Sequence, residues 1–210
     1  MHMRKTVNGY GLWLEPAHLH FHHGDSARVK VLWGQAMKRD KPDQPVNWTG
    51  LVKEPGGREF SVPVVMDRDG FNYELVFEGG PEGIYTAQVE HHAGQSHYLA
   101  RVLVPFGHHV HGQGRPFNRG LEIVPGEYSE FSPGASVDLT VLFDGKPLAG
   151  TRVLATYHIY DGDGFIHELF TDENGALKFK FDARGHWMFR VHATGGEDEY
   201  IATLVIPGVR

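Results

Sequence analysis

The chain states the same ordered set of short motifs twice, and this repeat limits the folds open to it. Gly11-Leu12-Trp13-Leu14-Glu15-Pro16, followed by Gly24-Asp25-Ser26-Ala27-Arg28-Val29-Lys30-Val31-Leu32, recurs as Gly120-Leu121-Glu122-Ile123-Val124-Pro125, followed by Gly134-Ala135-Ser136-Val137-Asp138-Leu139-Thr140-Val141-Leu142. Asp67-Arg68-Asp69-Gly70-Phe71 then matches Asp172-Glu173-Asn174-Gly175-Ala176, and Gly83-Ile84-Tyr85-Thr86-Ala87-Gln88-Val89 matches Gly185-His186-Trp187-Met188-Phe189-Arg190-Val191. The order is conserved between halves and the offset drifts little. A unit of about a hundred residues, repeated once, suits two tandem sandwiches.

Inside each unit the apolar residues recur at every second position. Val29, Val31 and Trp33 alternate with Arg28, Lys30 and Leu32; Val137, Leu139, Val141 and Phe143 with Asp138, Thr140 and Leu142; Leu177, Phe179 and Phe181 with Lys178, Lys180 and Asp182. Side chains of an extended strand point alternately to its two faces, so this period marks half-buried strands. The dipeptides Asp69-Gly70, Gly79-Gly80, Asp144-Gly145 and Asn174-Gly175 supply turns. No window keeps helical spacing for three turns. The expected fold is therefore all-β, with two tandem immunoglobulin-like β-sandwich domains: residues 1–106, a flexible His/Gly-rich linker at 107–119, and residues 120–210.

Charge and composition remove several function classes. Lys and Arg total 20 against 26 Asp and Glu, a formal charge of -6, whereas phosphate binding calls for a basic face; a nucleic-acid partner is not expected. No apolar run reaches the length of a membrane span. Met1-His2-Met3-Arg4-Lys5-Thr6 lacks the apolar region of a signal peptide. The sequence leaves two explanations, a cytosolic protein or a mature chain whose leader was replaced, with His2 then a cloning remnant. The chain has no cysteine, which excludes disulfides and thiolate metal sites and decides nothing about compartment.

Fifteen histidines stand in this chain, and they cluster. His18, His20, His22 and His23 form one group, His108, His109 and His111 a second, and His91, His92 and His97 a looser third. Imidazole is the commonest ligand for borderline transition metals. On an extended strand His18, His20 and His22 would project from one face, so that neighbours in the row could share an ion; the bland alternative is a solvated edge strand. In the linker, His109 and His111 could turn toward one ion while Gly107, Gly112 and Gly114 let the backbone wrap, although ordering a flexible hinge costs entropy. His158 and His167 flank Asp161-Gly162-Asp163-Gly164, read as a tight hairpin turn across which they could face one another. That turn lacks the spacing and terminal glutamate of an EF-hand. His192 follows Val191 on a strand, where burial is expected. Neither a Gly-x-Ser-x-Gly elbow nor a His-Glu-x-x-His helix occurs, and Gly112-Gln113-Gly114 lacks the context of a dinucleotide site. An enzyme is not expected.

Several motifs together resemble a known family. These are Leu12-Trp13-Leu14-Glu15-Pro16 with Gly24-Asp25; Leu121-Glu122-Ile123-Val124-Pro125; Val141-Leu142-Phe143-Asp144-Gly145-Lys146-Pro147-Leu148-Ala149-Gly150; Ala155-Thr156-Tyr157; Thr171-Asp172-Glu173-Asn174-Gly175; Gly185-His186-Trp187; Val191-His192-Ala193; and Tyr200-Ile201-Ala202-Thr203-Leu204. Over nearly its whole length the chain resembles the NikK-like periplasmic accessory proteins of energy-coupling-factor nickel and cobalt transporters, formerly a domain of unknown function. Lys146-Pro147-Leu148-Ala149-Gly150 is also similar to carboxypeptidase-regulatory and transthyretin-like sandwiches. The resemblance implies a periplasmic protein that binds a divalent metal, nickel or cobalt first, and hands it to a membrane transporter component. Members often begin their mature chain with a histidine whose amine and imidazole chelate together, and of the family's histidines His192 is placed by its flanking motif. The candidate ligands are His18, His20, His22, His108, His109, His111, His158 and His192, more than one ion can use. Copper or zinc handling shares this chemistry. A non-catalytic adhesion or scaffold module with a pH-sensitive, histidine-rich surface is the alternative of a different class.

Overall fold

The computed structural model describes residues 9–40, 48–67 and 72–210. His2, the rest of the N-terminal segment and the Asp69-Gly70 turn lie outside the described residues. Every regular element described is a strand, and among the described residues no helix is long and apolar enough to cross a membrane.

Strands form where the sequence alternates. β2 (Ser26–Gln35) buries Ala27, Val29 and Val31 and exposes Arg28 and Lys30. β10 (Ser136–Phe143) buries Val137, Leu139 and Val141 and exposes Ser136 and Asp138. The first half is completed by β1 (Tyr10–Pro16), β3 (Lys38–Asp40), β4 (Trp48–Lys53), β5 (Glu59–Met66), β6 (Tyr73–Glu78), β7 (Gly83–Ala93) and β8 (Ser96–Phe106). The second half adds β9 (Leu121–Pro125), β11 (Lys146–Pro147), β12 (Arg152–Tyr157), β13 (His167–Phe170), β14 (Ala176–Lys180), β15 (Gly185–Gly195) and β16 (Asp198–Val209).

The sequence repeat is a repeat of pairing. β1-β2-β6 and β5-β4-β7-β8 in the first half correspond to β9-β10-β14 and β13-β12-β15-β16 in the second. The repeated Gly-Leu-x-Leu/Ile-x-Pro motif is β1 and then β9; each pairs antiparallel with the strand that follows it. One difference separates the halves: β5 also pairs with β6 through Val64–Met66, joining the two layers of the first half into one path.

The halves are joined edge to edge. β8 pairs with β16 in parallel, from Ser96 opposite Glu199 to Val102 opposite Val205. Tyr98, Ala100, Val102, Val104 and Phe106 enter one core, together with Ile201 and Val205 of β16. Leu99 and Leu103 point the other way and join Ala202, Leu204 and Ile206 in the second core. Parallel neighbours in one sheet are related by an axis along the strands, and such an axis exchanges the faces of the sheet. The first sandwich therefore closes over one face of the shared sheet and the second over the opposite face. β1 packs across β8 and β16 from one side, and β9 packs on β16 and β15 from the other. Thr203, between Ile201 and Val205, donates its hydroxyl to the Leu12 carbonyl at 2.6 Å.

Segment 107–119, expected as a flexible linker, is packed along much of its length. Lys53 Nζ donates to Pro116 O at 2.6 Å and Arg115 Nε to Pro55 O at 2.6 Å. Phe117 is buried, and its N–H and that of Asn118 donate to the Glu122 carboxylate at 3.1 and 2.8 Å. Gly114 lies so close to β8 that a Cβ there would stand 2.4 Å from Leu103 Cδ2. Glycine at this position lets the strap lie flat on the sheet.

Candidate metal centre

A single backbone bridge brings two distant histidines together. Phe21 pairs in parallel with Phe106 at the end of β8; its N–H donates to Pro105 O at 3.3 Å, and its carbonyl accepts the Gly107 N–H at 2.8 Å. Both phenyl rings are buried and stacked at 5.4 Å. The residues just beyond this anchor are His22 and His108, whose Nε2 atoms approach to 3.2 Å. With metal–imidazole bonds of about 2.0–2.1 Å and ligand angles between octahedral and tetrahedral, two neighbouring ligand nitrogens stand about 2.9–3.4 Å apart. The observed separation falls inside that range.

Asp25 stands behind His22. It accepts the His22 backbone N–H at 2.7 Å and lies 3.3 Å from His22 Nδ1. The His22 backbone N–H, followed by the His22 and His18 imidazoles, holds the Asp25 carboxyl below its ordinary range. With Nδ1–H directed at this carboxylate, the tautomer of His22 leaves the Nε2 lone pair facing His108, an arrangement typical of metal-bound histidine. The pair is exposed, and other coordination positions are open to water. Among the described residues no three His, Asp or Glu side chains are already arranged around one ion.

The remaining candidates are dispersed. Residues 18–25 form bends and a turn around the Phe21 bridge, and the row expected from His18, His20 and His22 on one strand face is not formed. His18 packs edge-on to Phe21. His20 Nε2 accepts from Arg210 Nη2 at 3.1 Å and lies 3.7 Å from Glu130. His23 Nδ1 lies 2.8 Å from the Gly80 carbonyl. His109 takes a positive φ of 51° and, like His111, is exposed.

His158 and His167 do not face one another, because β12 pairs Ala155 with His167. Residues 158–166 make a longer loop, against which Lys38 docks at Gly162 O and Asp163. His158 Nδ1 accepts the His186 N–H at 2.8 Å. A neutral imidazole that accepts at Nδ1 keeps its proton on Nε2, so His158 has no lone pair left for a metal. His167 bonds Asp182 at 2.8 Å and stacks on Trp187. His192, expected to be buried, is exposed on β15.

The looser third group is divided by the β7–β8 hairpin. His91 turns to the first core among Trp33, Trp48 and Tyr98. His92 and His97 are cross-strand partners on the opposite face. The sequence signals for this pair were two histidines five residues apart and the Gly94 turn between them.

Solved structures of similar shape are distant. Salmonella alpha-2-macroglobulin reacted with methylamine is 13% identical with a TM-score of 0.35, over 94% of this chain and 15% of that one. The Yersinia pseudotuberculosis adhesin InvE is 14% identical with a TM-score of 0.30, over 96% of this chain and 59% of that one. Murine CEACAM1b is 10% identical with a TM-score of 0.29, over 93% and 98%. This chain thus spans a small part of the macroglobulin it matches. None of the curated proteins matches the chain. Residues 7–195 match the family described as Domain of unknown function (DUF4198), and the chain belongs to that family.

Proposed function

We propose that this protein is a NikK-like periplasmic metal-binding protein that captures nickel or cobalt through imidazole and passes it to a membrane transporter component, without catalysing a reaction. The observation that carries this reading is the His22–His108 pair, with Nε2 atoms 3.2 Å apart and Asp25 behind His22. In this reading the halves, 1–106 and 120–210, are immunoglobulin-like sandwiches, the second carboxypeptidase-regulatory or transthyretin-like. Segment 107–119 is the connection that delivers His108 to His22. A site that is exposed and only partly filled by protein suits a cargo ion, which has to leave as well as enter. Copper and zinc are compatible with the same two nitrogens, and the order of intrinsic affinities favours copper whatever the biological cargo.

Calorimetric titration of chelator-stripped protein with Ni(II) or Co(II) tests the proposal. Saturable binding at micromolar affinity or better is expected, with a loss of at least tenfold in His22→Ala/His108→Ala. Binding no stronger than that of the denatured chain would sink the reading and leave the adhesion or scaffold alternative.

A further inference from the structure

A row of polar side chains crosses the shared sheet on the face that carries the second core. It starts at Glu122 on β9, fully buried, whose carboxylate receives Arg101 Nη1 from β8. Arg101 is 3% exposed, and it passes its Nε–H to Gln88 Oε1 on β7. Gln88, also fully buried, donates through Nε2 to Glu90 Oε1. Burying an ion pair this deeply adds little net stability, since desolvation offsets attraction. What such a row does well is fix the position of whatever stands at its end.

At its end stand His92 and His97. They are opposite one another in the β7–β8 ladder, with Nδ1 atoms 2.6 Å apart. The outer nitrogen of each ring faces a carboxylate: His92 Nε2 lies 3.8 Å from Glu90 Oε2, and His97 Nε2 lies 3.4 Å from Asp198 Oδ2. The His97 ring is also stacked on Tyr200 of β16, 4.6 Å apart and inclined by 10°. At 2.6 Å the two Nδ1 atoms are within hydrogen-bond distance, one ring donating its proton to the lone pair of the other, so the inner nitrogens already converge on one point. A divalent ion that displaces this proton gains both lone pairs as ligands. His97 is held from both halves of the chain, by β7 on one side and by Asp198 and Tyr200 on the other.

We propose that His92 and His97 form a second site for a divalent transition metal, ligated through both Nδ1 atoms, with Glu90 and Asp198 orienting the rings and water completing the coordination. Seating an ion requires the nitrogens to spread to about 2.9–3.4 Å. His92 lies at the exposed hairpin end, where its ring has room to swing. The site shares no residue with His22 and His108. The two pairs flank opposite ends of β8, eleven residues apart on an extended strand, or about 35 Å, so one ion cannot serve both.

Nickel titration of the stripped full-length chain, followed by calorimetry and by the histidine ring resonances, separates the sites. His22→Asn/His108→Asn is expected to keep one saturable equivalent of Ni(II) and to show paramagnetic broadening of the His92 and His97 rings. Adding His92→Asn/His97→Asn should remove that equivalent, and Asp198→Asn should weaken it about tenfold, the usual effect of losing an outer-shell partner. If the His22/His108 variant already binds no more than the fourfold variant, or the His92 and His97 resonances persist at saturating nickel, the second site does not exist. Retention of the hairpin equivalent when wild-type protein shows no binding at His22 and His108 would overturn the first reading and leave this one standing.

Discussion

His186 is half-buried at the start of β15, where its Nδ1 accepts the Gly208 N–H at 3.0 Å. Burial, and then the neighbouring His158 imidazole, push its pKa below the ordinary histidine value. Partial desolvation of its ring along β15 lowers His192 in the same direction. The unfolded chain consequently takes up protons before the native one does, and stability must fall as pH drops below the ordinary value of about 6.5 toward the lower native value. Urea midpoints measured from pH 7.5 to pH 5 should decline, and His186→Gln, whose amide oxygen can still accept from Gly208, should flatten that decline. Equal slopes in the two proteins would show that His186 titrates no differently when folded. The same residue illustrates what a sequence conceals. A histidine that accepts a backbone N–H and one whose ring nitrogen faces another imidazole are spelled alike, so His158 and His22 were indistinguishable as candidates.

Strands carry their own liabilities. Among the described residues β13 pairs only with β12 and ends the larger sheet, with Phe170 59% exposed and Ile166, just before the strand, 40% exposed. An open edge with large apolar side chains is a template for pairing with another chain. Phe170→Lys is expected to slow aggregation on warming while leaving the melting temperature within about a degree, since an exposed substitution changes stability by only a few tenths of a kcal/mol; an unchanged aggregation rate would clear this edge. Elements that alternate were the legible ones. β2, β10 and the Phe179 region declare an inner and an outer face, and the repeated motifs fell on corresponding strands. β8 is buried at every position from Tyr98 to Phe106, so it has no period to read, and nothing in its spacing names β16 as neighbour. The row of His18, His20 and His22 was misread for a related reason: the Phe21 anchor to Phe106 bends the segment, and that anchor lies 85 residues away in sequence.

Across the whole molecule, the parallel β8–β16 pair makes each core depend on the other. Leu99 and Leu103 of the first half complete the second core, while Met188, Ile201 and Val205 of the second complete the first. Unfolding should therefore be one transition. Three tryptophans, Trp13, Trp33 and Trp48, report on the first half and Trp187 on the second. In Trp187→Phe, fluorescence and far-UV circular dichroism should give the same urea midpoint, and two separated midpoints would show that the halves melt independently. The pairing also has a consequence for how the chain comes into being. Made from its N-terminus, the protein exposes β8 long before β16 exists, with one unpaired edge and an apolar back. β16 closes a strand synthesised about a hundred residues earlier. The N-terminal half therefore has to wait, in the cell, with a sticky border that only the later β16 can cover, and this is the interval in which a chaperone has most to do.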